Sequence, residues 1–304
     1  MEWEVQVIEW LQKTLGGLNN SVGKVISFLG GEIGLLVVVL AMLFCWRKEV
    51  GKRLALIVAA VNCWLPMIKV LVLRPRPYMD YPDRINGVAD VGNSASLDNV
   101  AAQGYSFPSM HSASAMALYI PLAHEVKKKW MWILASVVVL FIGVGRAITG
   151  MHYPTDILAG WALGLVCAGL CLLVESKVKN KWVRHLILLA SVLPGVFFVR
   201  TEDYFTALGL MIGLITGIHF EEKFVNFTDT RNIWAMILRM VGTFAIYFAL
   251  NTLLKMPFSK EFLDGGTLGA LLVRTVRYAV IIFIIVGVYP KLFPLFEKIG
   301  KKKA

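Results

Sequence analysis

The sequence predicts an all-α, polytopic helical membrane protein of about nine spans. Its 304 residues are 57% apolar and only 17% charged, with a mean hydropathy of +0.66, a balance that soluble globular domains rarely show. Polar residues cut the apolar sequence into runs long enough to cross a hydrocarbon core of about 30 Å as helices. Basic residues gather in alternate connections, which orients those helices.

Residues 1–24 are expected to lie along the membrane surface. They have no basic start, no uninterrupted apolar stretch and no small-residue cleavage site, so they do not read as a signal peptide. Trp3, Val7, Trp10 and Leu11 recur at helical spacing with Glu2, Glu9 and Lys13 between them, which suits an interfacial amphipathic helix. The expected spans then run over 25–46, 53–73, 109–123, 130–145, 155–174, 185–198, 204–219, 233–254 and 268–289.

Arg47, Lys48, Lys52 and Arg53 follow the first span, Lys127 to Lys129 the third, and Lys177, Lys179, Lys181 and Arg184 the fifth. Lys291, Lys298 and Lys301 to Lys303 in the tail fall on the same side, which the positive-inside rule makes cytoplasmic. The N-terminus is then outside and the C-terminus cytoplasmic. The net charge of +11 is accounted for by topology, so nucleic acid is not an expected partner. Cys45, Cys63, Cys167 and Cys171 all fall inside expected spans, where they serve as small apolar residues.

One connection, from Arg74 to about Phe107, is longer and more polar than the rest and faces outward in this topology. It holds Asp80, Asp83, Asp90 and Asp98 among Gly87, Gly92 and Gly104. Three clusters of chemically able residues border that outward face. Lys69 is followed after six residues by Arg76 and Pro77, Pro108-Ser109-Met110-His111 opens the third span, and Arg146, His152 and Asp156 lie between the fourth and fifth. The chemistry therefore sits in 25–180, leaving 181–304 as a C-terminal transmembrane module of unassigned role.

Lys69, Arg76 and Arg146 are three cations without matching acids in their own motifs, as a multiply charged oxyanion such as phosphate requires. Phosphoryl transfer spreads negative charge over equatorial oxygens, so fixed cations and backbone donors supply most of the stabilisation. His152 and Asp156 are four apart, a spacing that lets the carboxylate take one ring proton and leave the other nitrogen to attack. Pro154 between them marks a helix start, whose exposed amides also favour an anion. His111 then serves as the general acid for the leaving oxygen, which implies a bell-shaped pH profile shared by the two histidines. The loop aspartates are scattered, so neither a metal nor another cofactor is expected.

These residues, in this order, resemble the signatures of the type-2 phosphatidic acid phosphatase superfamily of membrane lipid phosphatases: K-x6-R-P, P-S-G-H and S-R-x5-H-x3-D. The resemblance covers about residues 35–174. It implies a phosphatase-type helical core with His152 as nucleophile, Asp156 as its orienting acid and His111 as proton donor. It further implies phosphate contacts from Lys69, Arg76, Ser109 and Arg146. Two positions depart from the pattern: Met110 replaces the glycine of P-S-G-H, and Gly145 replaces the serine before the motif arginine.

The expected activity is metal-independent hydrolysis of a lipid phosphate monoester or diphosphate through a phosphohistidine, in the plasma membrane, with the site on the non-cytoplasmic face. Phosphotransfer to another alcohol through the same intermediate, or transport of an anionic lipid without chemistry, are the alternatives. The partners expected are a lipid phosphate and the bilayer, with a homodimer through the C-terminal helices as one use of that module. Arg274 and Arg277 share a face of the last span, where a lipid headgroup, or Glu261 and Asp264, would meet them.

Overall fold

The computed structural model describes residues 2–15, 25, 31–88 and 104–299, and among them all regular structure is helical. The helices are α1 (Glu2–Leu15), α2 (Glu32–Ala41), α3 (Lys48–Val72), α4 (Pro77–Asp80), α5 (Met110–Val126), α6 (Lys129–Ile148), α7 (Pro154–Lys177), α8 (Lys181–Val192) and α9 (Gly195–Phe198). They continue as α10 (Glu202–Phe224), α11 (Ile233–Leu253), α12 (Lys260–Asp264), α13 (Leu268–Phe283) and α14 (Phe293–Phe296). Asp90, Gly92 and Asp98 of the long connection and Lys301 to Lys303 of the tail lie outside the described residues.

The chain is an integral membrane protein, but the expected count of nine spans is not supported. Among the described residues, seven helical segments, built on α3, α6, α7, α8 with α9, α10, α11 and α13, are long and apolar enough to cross a membrane. A shorter apolar helix spans Ile33–Trp46, and residues 26–30 of its expected run lie outside the described residues. The third expected span is α5, only 17 residues long, with His111, Ser112 and Ser114 in its first turns. Its polar start carries candidate site residues, which shortens its apolar length.

The chain folds as two compact units. One comprises Met1–Leu36 and Trp64–Leu173, the other Val37–Cys63 and Val174–Ala304. In the first, α7 meets α5 through Gly160 and Gly164, a four-residue spacing of small residues that lets helix backbones touch. A Cβ at Gly160 would fall 2.6 Å from the Ser109 carbonyl oxygen, and one at Gly164 2.4 Å from that of Ala113. The start of α5 is thereby pressed against the start of α7.

Helix α1 is docked onto this unit as well as amphipathic. Its Val5 and Ile8 are fully buried in a cluster with Tyr78, Ile85, Ala147, Met151, Tyr153 and Ile157, and each such side chain stabilises the docking by about 1.5–3 kcal/mol. Gln12 Nε2 donates to the carbonyls of Asn86 and Ile148, at 2.8 Å each. Trp3, Val7 and Trp10 of the expected apolar face remain exposed. The helix thus carries a second stripe, Val5-Ile8-Gln12 at spacings of three and four, which the tryptophans mask in the sequence.

In the second unit α10 and α13 touch along Gly209 and Gly213, and Gly217 meets Val286 just beyond α13. A Cβ at either of the first two would lie 2.4 Å from a carbonyl oxygen, of Thr275 and Ala279 respectively. Two of its buried charges are matched: Glu221, fully buried, receives Lys48 at 3.1 Å and Lys52 at 3.0 Å. Buried Arg239 meets Glu297 at 2.9 Å, donates to the Phe44 carbonyl at 2.7 Å and covers the Phe293 ring.

Candidate active site

Every residue of the expected phosphate site lies in the first unit, at the ends of five helices: Lys69 on α3, Arg76 just before α4, Ser109 and His111 at the start of α5, and Arg146, His152 and Asp156 around the turn from α6 to α7. That turn depends on Gly150, at φ +68°, where an added Cβ would also fall 2.5 Å from the Asn86 carbonyl oxygen. Beyond it the amides of Met151 and His152 both return to the Arg146 carbonyl, at 3.2 and 3.3 Å, so motif arginine and motif histidine are tied by backbone.

His152 is 1% exposed, and its Nδ1 lies 2.8 Å from the Ser106 carbonyl oxygen. A carbonyl only accepts, so Nδ1 holds the proton of the neutral ring and Nε2 is left with its lone pair. The expected direct hydrogen bond from the ring to Asp156 is replaced, because Asp156 Oδ2 stands 3.8 Å from Nδ1. Local helix geometry accounts for the difference. Tyr153 caps α7, Pro154 opens it, and the third-position carboxylate turns back to accept the Tyr153 amide at 2.8 Å, the reciprocal half of a capping box. The same oxygen accepts the Ser106 hydroxyl, and Oδ1 accepts Arg74 Nη1 at 2.7 Å. Asp156 therefore holds the residue that holds His152.

The cations converge on this ring. Burial first, and then the charges of Arg76, Arg146, Lys69 and His111, hold the His152 imidazole well below the ordinary histidine range, so it stays neutral. Arg76 Nε donates to the Gly104 carbonyl at 3.0 Å and Lys69 Nζ to the Tyr105 carbonyl at 2.6 Å, which ties both cations to the segment leading into Ser106. Arg146 is 1% exposed at the end of α6.

Ser109 caps α5, with its Oγ 3.4 Å from the Ser112 amide and 2.9 Å from the Ser112 hydroxyl, while its own amide donates to the Asp156 carbonyl at 3.0 Å. His111 follows in the first turn of α5. Of the two departures from the family pattern, Met110 opens α5 and Gly145 is buried in α6, where its carbonyl accepts the Thr149 amide at 3.0 Å. Among the described residues, no group of three or more His, Cys, Asp and Glu gathers as metal ligands.

Sequence reasoning missed Ser106, Arg74 and Glu4. Arg74, inside the interval from Lys69 to Arg76, bridges Asp156 to Glu4, whose Oε2 lies 2.9 Å from Nη2, and its guanidinium stacks 3.9 Å over the Tyr153 ring. Fully buried Glu4 also accepts the Thr155 hydroxyl at 2.5 Å. Glu4→Gln keeps the shape and removes the charge that holds Arg74. We expect kcat to fall roughly tenfold with KM little changed, and Glu4→Asp to recover part of the loss. Steady-state kinetics of the three proteins check this; an unchanged kcat in Glu4→Gln would leave Glu4 as a packing residue only.

A family model described as the PAP2 superfamily matches residues 50–180, and a second, the transmembrane extension of PAP2 superfamily phosphatases, matches 205–302. The chain is 27% identical over 181 residues to phosphatidylglycerophosphatase B of Bacillus subtilis, an alignment that covers 56% of this chain and 78% of that protein. It is 28% identical over 192 residues to lipid phosphate phosphatase delta of Arabidopsis thaliana, covering 56% and 44%. It is 32% identical over 87 residues to undecaprenyl-diphosphatase of Sulfolobus acidocaldarius, covering 27% and 40%, so it spans less than half of each of the latter two. No solved structure matches the chain.

Proposed function

Because the chain belongs to the PAP2 superfamily and is a membrane lipid phosphatase, we propose that it hydrolyses a lipid phosphate monoester or diphosphate through a phosphohistidine on His152, without a metal. The observation that carries this reading is the ring itself: Nδ1 donates to the Ser106 carbonyl, Nε2 keeps its lone pair, and Lys69, Arg76 and Arg146 act on it electrostatically.

Nε2 attacks phosphorus in line with the leaving oxygen. The three cations stabilise the charge on the equatorial oxygens, and His111 gives its proton to the departing alcohol or phosphate. The N–P bond then breaks as water attacks, His111 takes the proton of that water, and inorganic phosphate leaves with His152 neutral again. The two histidines must differ in protonation, and the depressed basicity of His152 favours that difference. The site faces the non-cytoplasmic side, in keeping with the basic clusters on the opposite ends of the spans.

The test is phosphate release from a panel of lipid substrates by the purified full chain: a phosphatidic acid, a phosphatidylglycerol phosphate and a polyisoprenoid diphosphate. Release is expected to persist at full rate in EDTA. Activity that vanishes in EDTA and returns with a divalent cation would overturn the metal-free mechanism.

A further inference from the structure

Among the described residues of the C-terminal unit, one buried arginine has no carboxylate to match its charge. Arg277, on α13, is 6% exposed. It donates one hydrogen bond, from Nη2 to Asn251 Oδ1 at 3.0 Å, and its buried Nε has no partner. No carboxylate lies within ion-pair distance of it among the described residues. Arg239 in the same unit is also buried and its Nε too has no partner, but it differs in having a counter-ion, Glu297, with two carbonyls and an aromatic face. A buried guanidinium without a counter-ion is costly, and in membrane proteins such a residue marks a place where an anion is met.

Two further cations gather at the same end of the unit, where α10 starts, α11 ends and α13 starts. Arg274, one turn before Arg277, is paired with Glu202, where the sequence offered a lipid headgroup or Glu261 and Asp264. Lys255, just beyond α11, is held below the ordinary lysine range by desolvation first and then by the charges of Arg277 and Arg274, with Asp264 and Glu202 opposing them. Side chains on a helix lean toward its N-terminus, so both guanidinium groups reach toward this end. Leu253, Leu272 and Val276, neighbours of these residues in sequence, are exposed, a surface that an acyl chain would cover.

We propose that Arg277, with Arg274 and Lys255, forms a second anion site that takes the phosphate headgroup of a membrane phospholipid. None of these residues belongs to the catalytic set, and the proposal stands whether or not His152 is the nucleophile. It gives the C-terminal unit a role in holding lipid. The geometry offers Arg277 a charge-assisted pair with a phosphate oxygen, with the exposed ammonium of Lys255 as a second donor.

The test uses the full chain carrying His152→Ala, which removes turnover, in neutral detergent. Its thermal unfolding midpoint is followed against phosphatidylglycerol, phosphatidylcholine and inorganic phosphate. Phosphatidylglycerol is expected to raise the midpoint in a saturable manner, with phosphatidylcholine raising it less and inorganic phosphate not at all. Arg277→Gln should abolish the shift and Arg277→Lys should keep part of it. Because Arg277→Gln removes a buried group, the pair Lys255→Gln with Arg274→Gln is the second arm: both side chains are more accessible, and their loss should weaken apparent affinity roughly tenfold. An undiminished shift in either variant overturns the site. A shift produced equally by inorganic phosphate and lost in Arg277→Gln overturns the lipid assignment in favour of a free anion.

Discussion

His152→Ala is expected to lower phosphate release by roughly 10⁴-fold or more, the scale on which loss of a covalent nucleophile is felt when binding and electrostatic groups remain. The side chain is almost completely buried and its Nδ1 bond is to a backbone carbonyl, so its removal leaves no charged partner stranded. Lipid affinity should therefore persist. A radiolabelled substrate quenched in alkali should leave label on the wild-type protein and none on the variant. Wild-type release by the variant would sink the mechanism.

The pH dependence follows from the same ring. Attack requires neutral His152, and its basicity lies well below the ordinary histidine range, so it remains neutral as pH falls through that range. The acid limb of kcat/KM due to the nucleophile should thus lie below the ordinary histidine value of 6.5. Arg76→Gln removes the largest of the charges that oppose protonation, which should move that limb upward while lowering the rate. A limb that stays in place would separate Arg76 from the ring.

The candidate residues were legible because their spacing survives in one dimension. Lys69 with Arg76, Ser109 with His111, and His152 with Asp156 each lie on one span end, and topology gathers span ends. What gathers them more finely was not legible. Ser106 acts through a carbonyl that every residue possesses, so no residue type could announce it. Glu4 reaches Thr155 across 151 residues, and only the docked α1 brings it there. The tryptophans of α1 advertised a membrane-facing stripe and hid the Val5-Ile8-Gln12 stripe that packs inward. Counting apolar runs gave nine spans because a run interrupted by site residues, such as α5, reads the same as a full crossing. The spacing of His152 and Asp156 suggested a direct contact, which the capping of α7 redirected.

That redirection makes Asp156→Asn the sharper probe of how the acid works. In the native chain one carboxylate oxygen accepts both the Tyr153 amide and the Ser106 hydroxyl, while the other accepts Arg74. An asparagine has one acceptor and one donor, so whichever way it turns, an N–H meets an N–H or O–H donor. We expect kcat to fall roughly 10³- to 10⁴-fold. Ser106→Ala deletes the hydroxyl but keeps the carbonyl on Nδ1, and should cost roughly tenfold. If Asp156 acts on the ring through Ser106, the two losses share one path. The double variant should then be little worse than Asp156→Asn alone, a coupling readable as non-additivity in log kcat. If the carboxylate acts instead by its charge across the 3.8 Å to Nδ1, the losses belong to separate interactions and should add. Additive losses would return Asp156 to the role of a direct electrostatic partner and leave Ser106 as a structural hydroxyl.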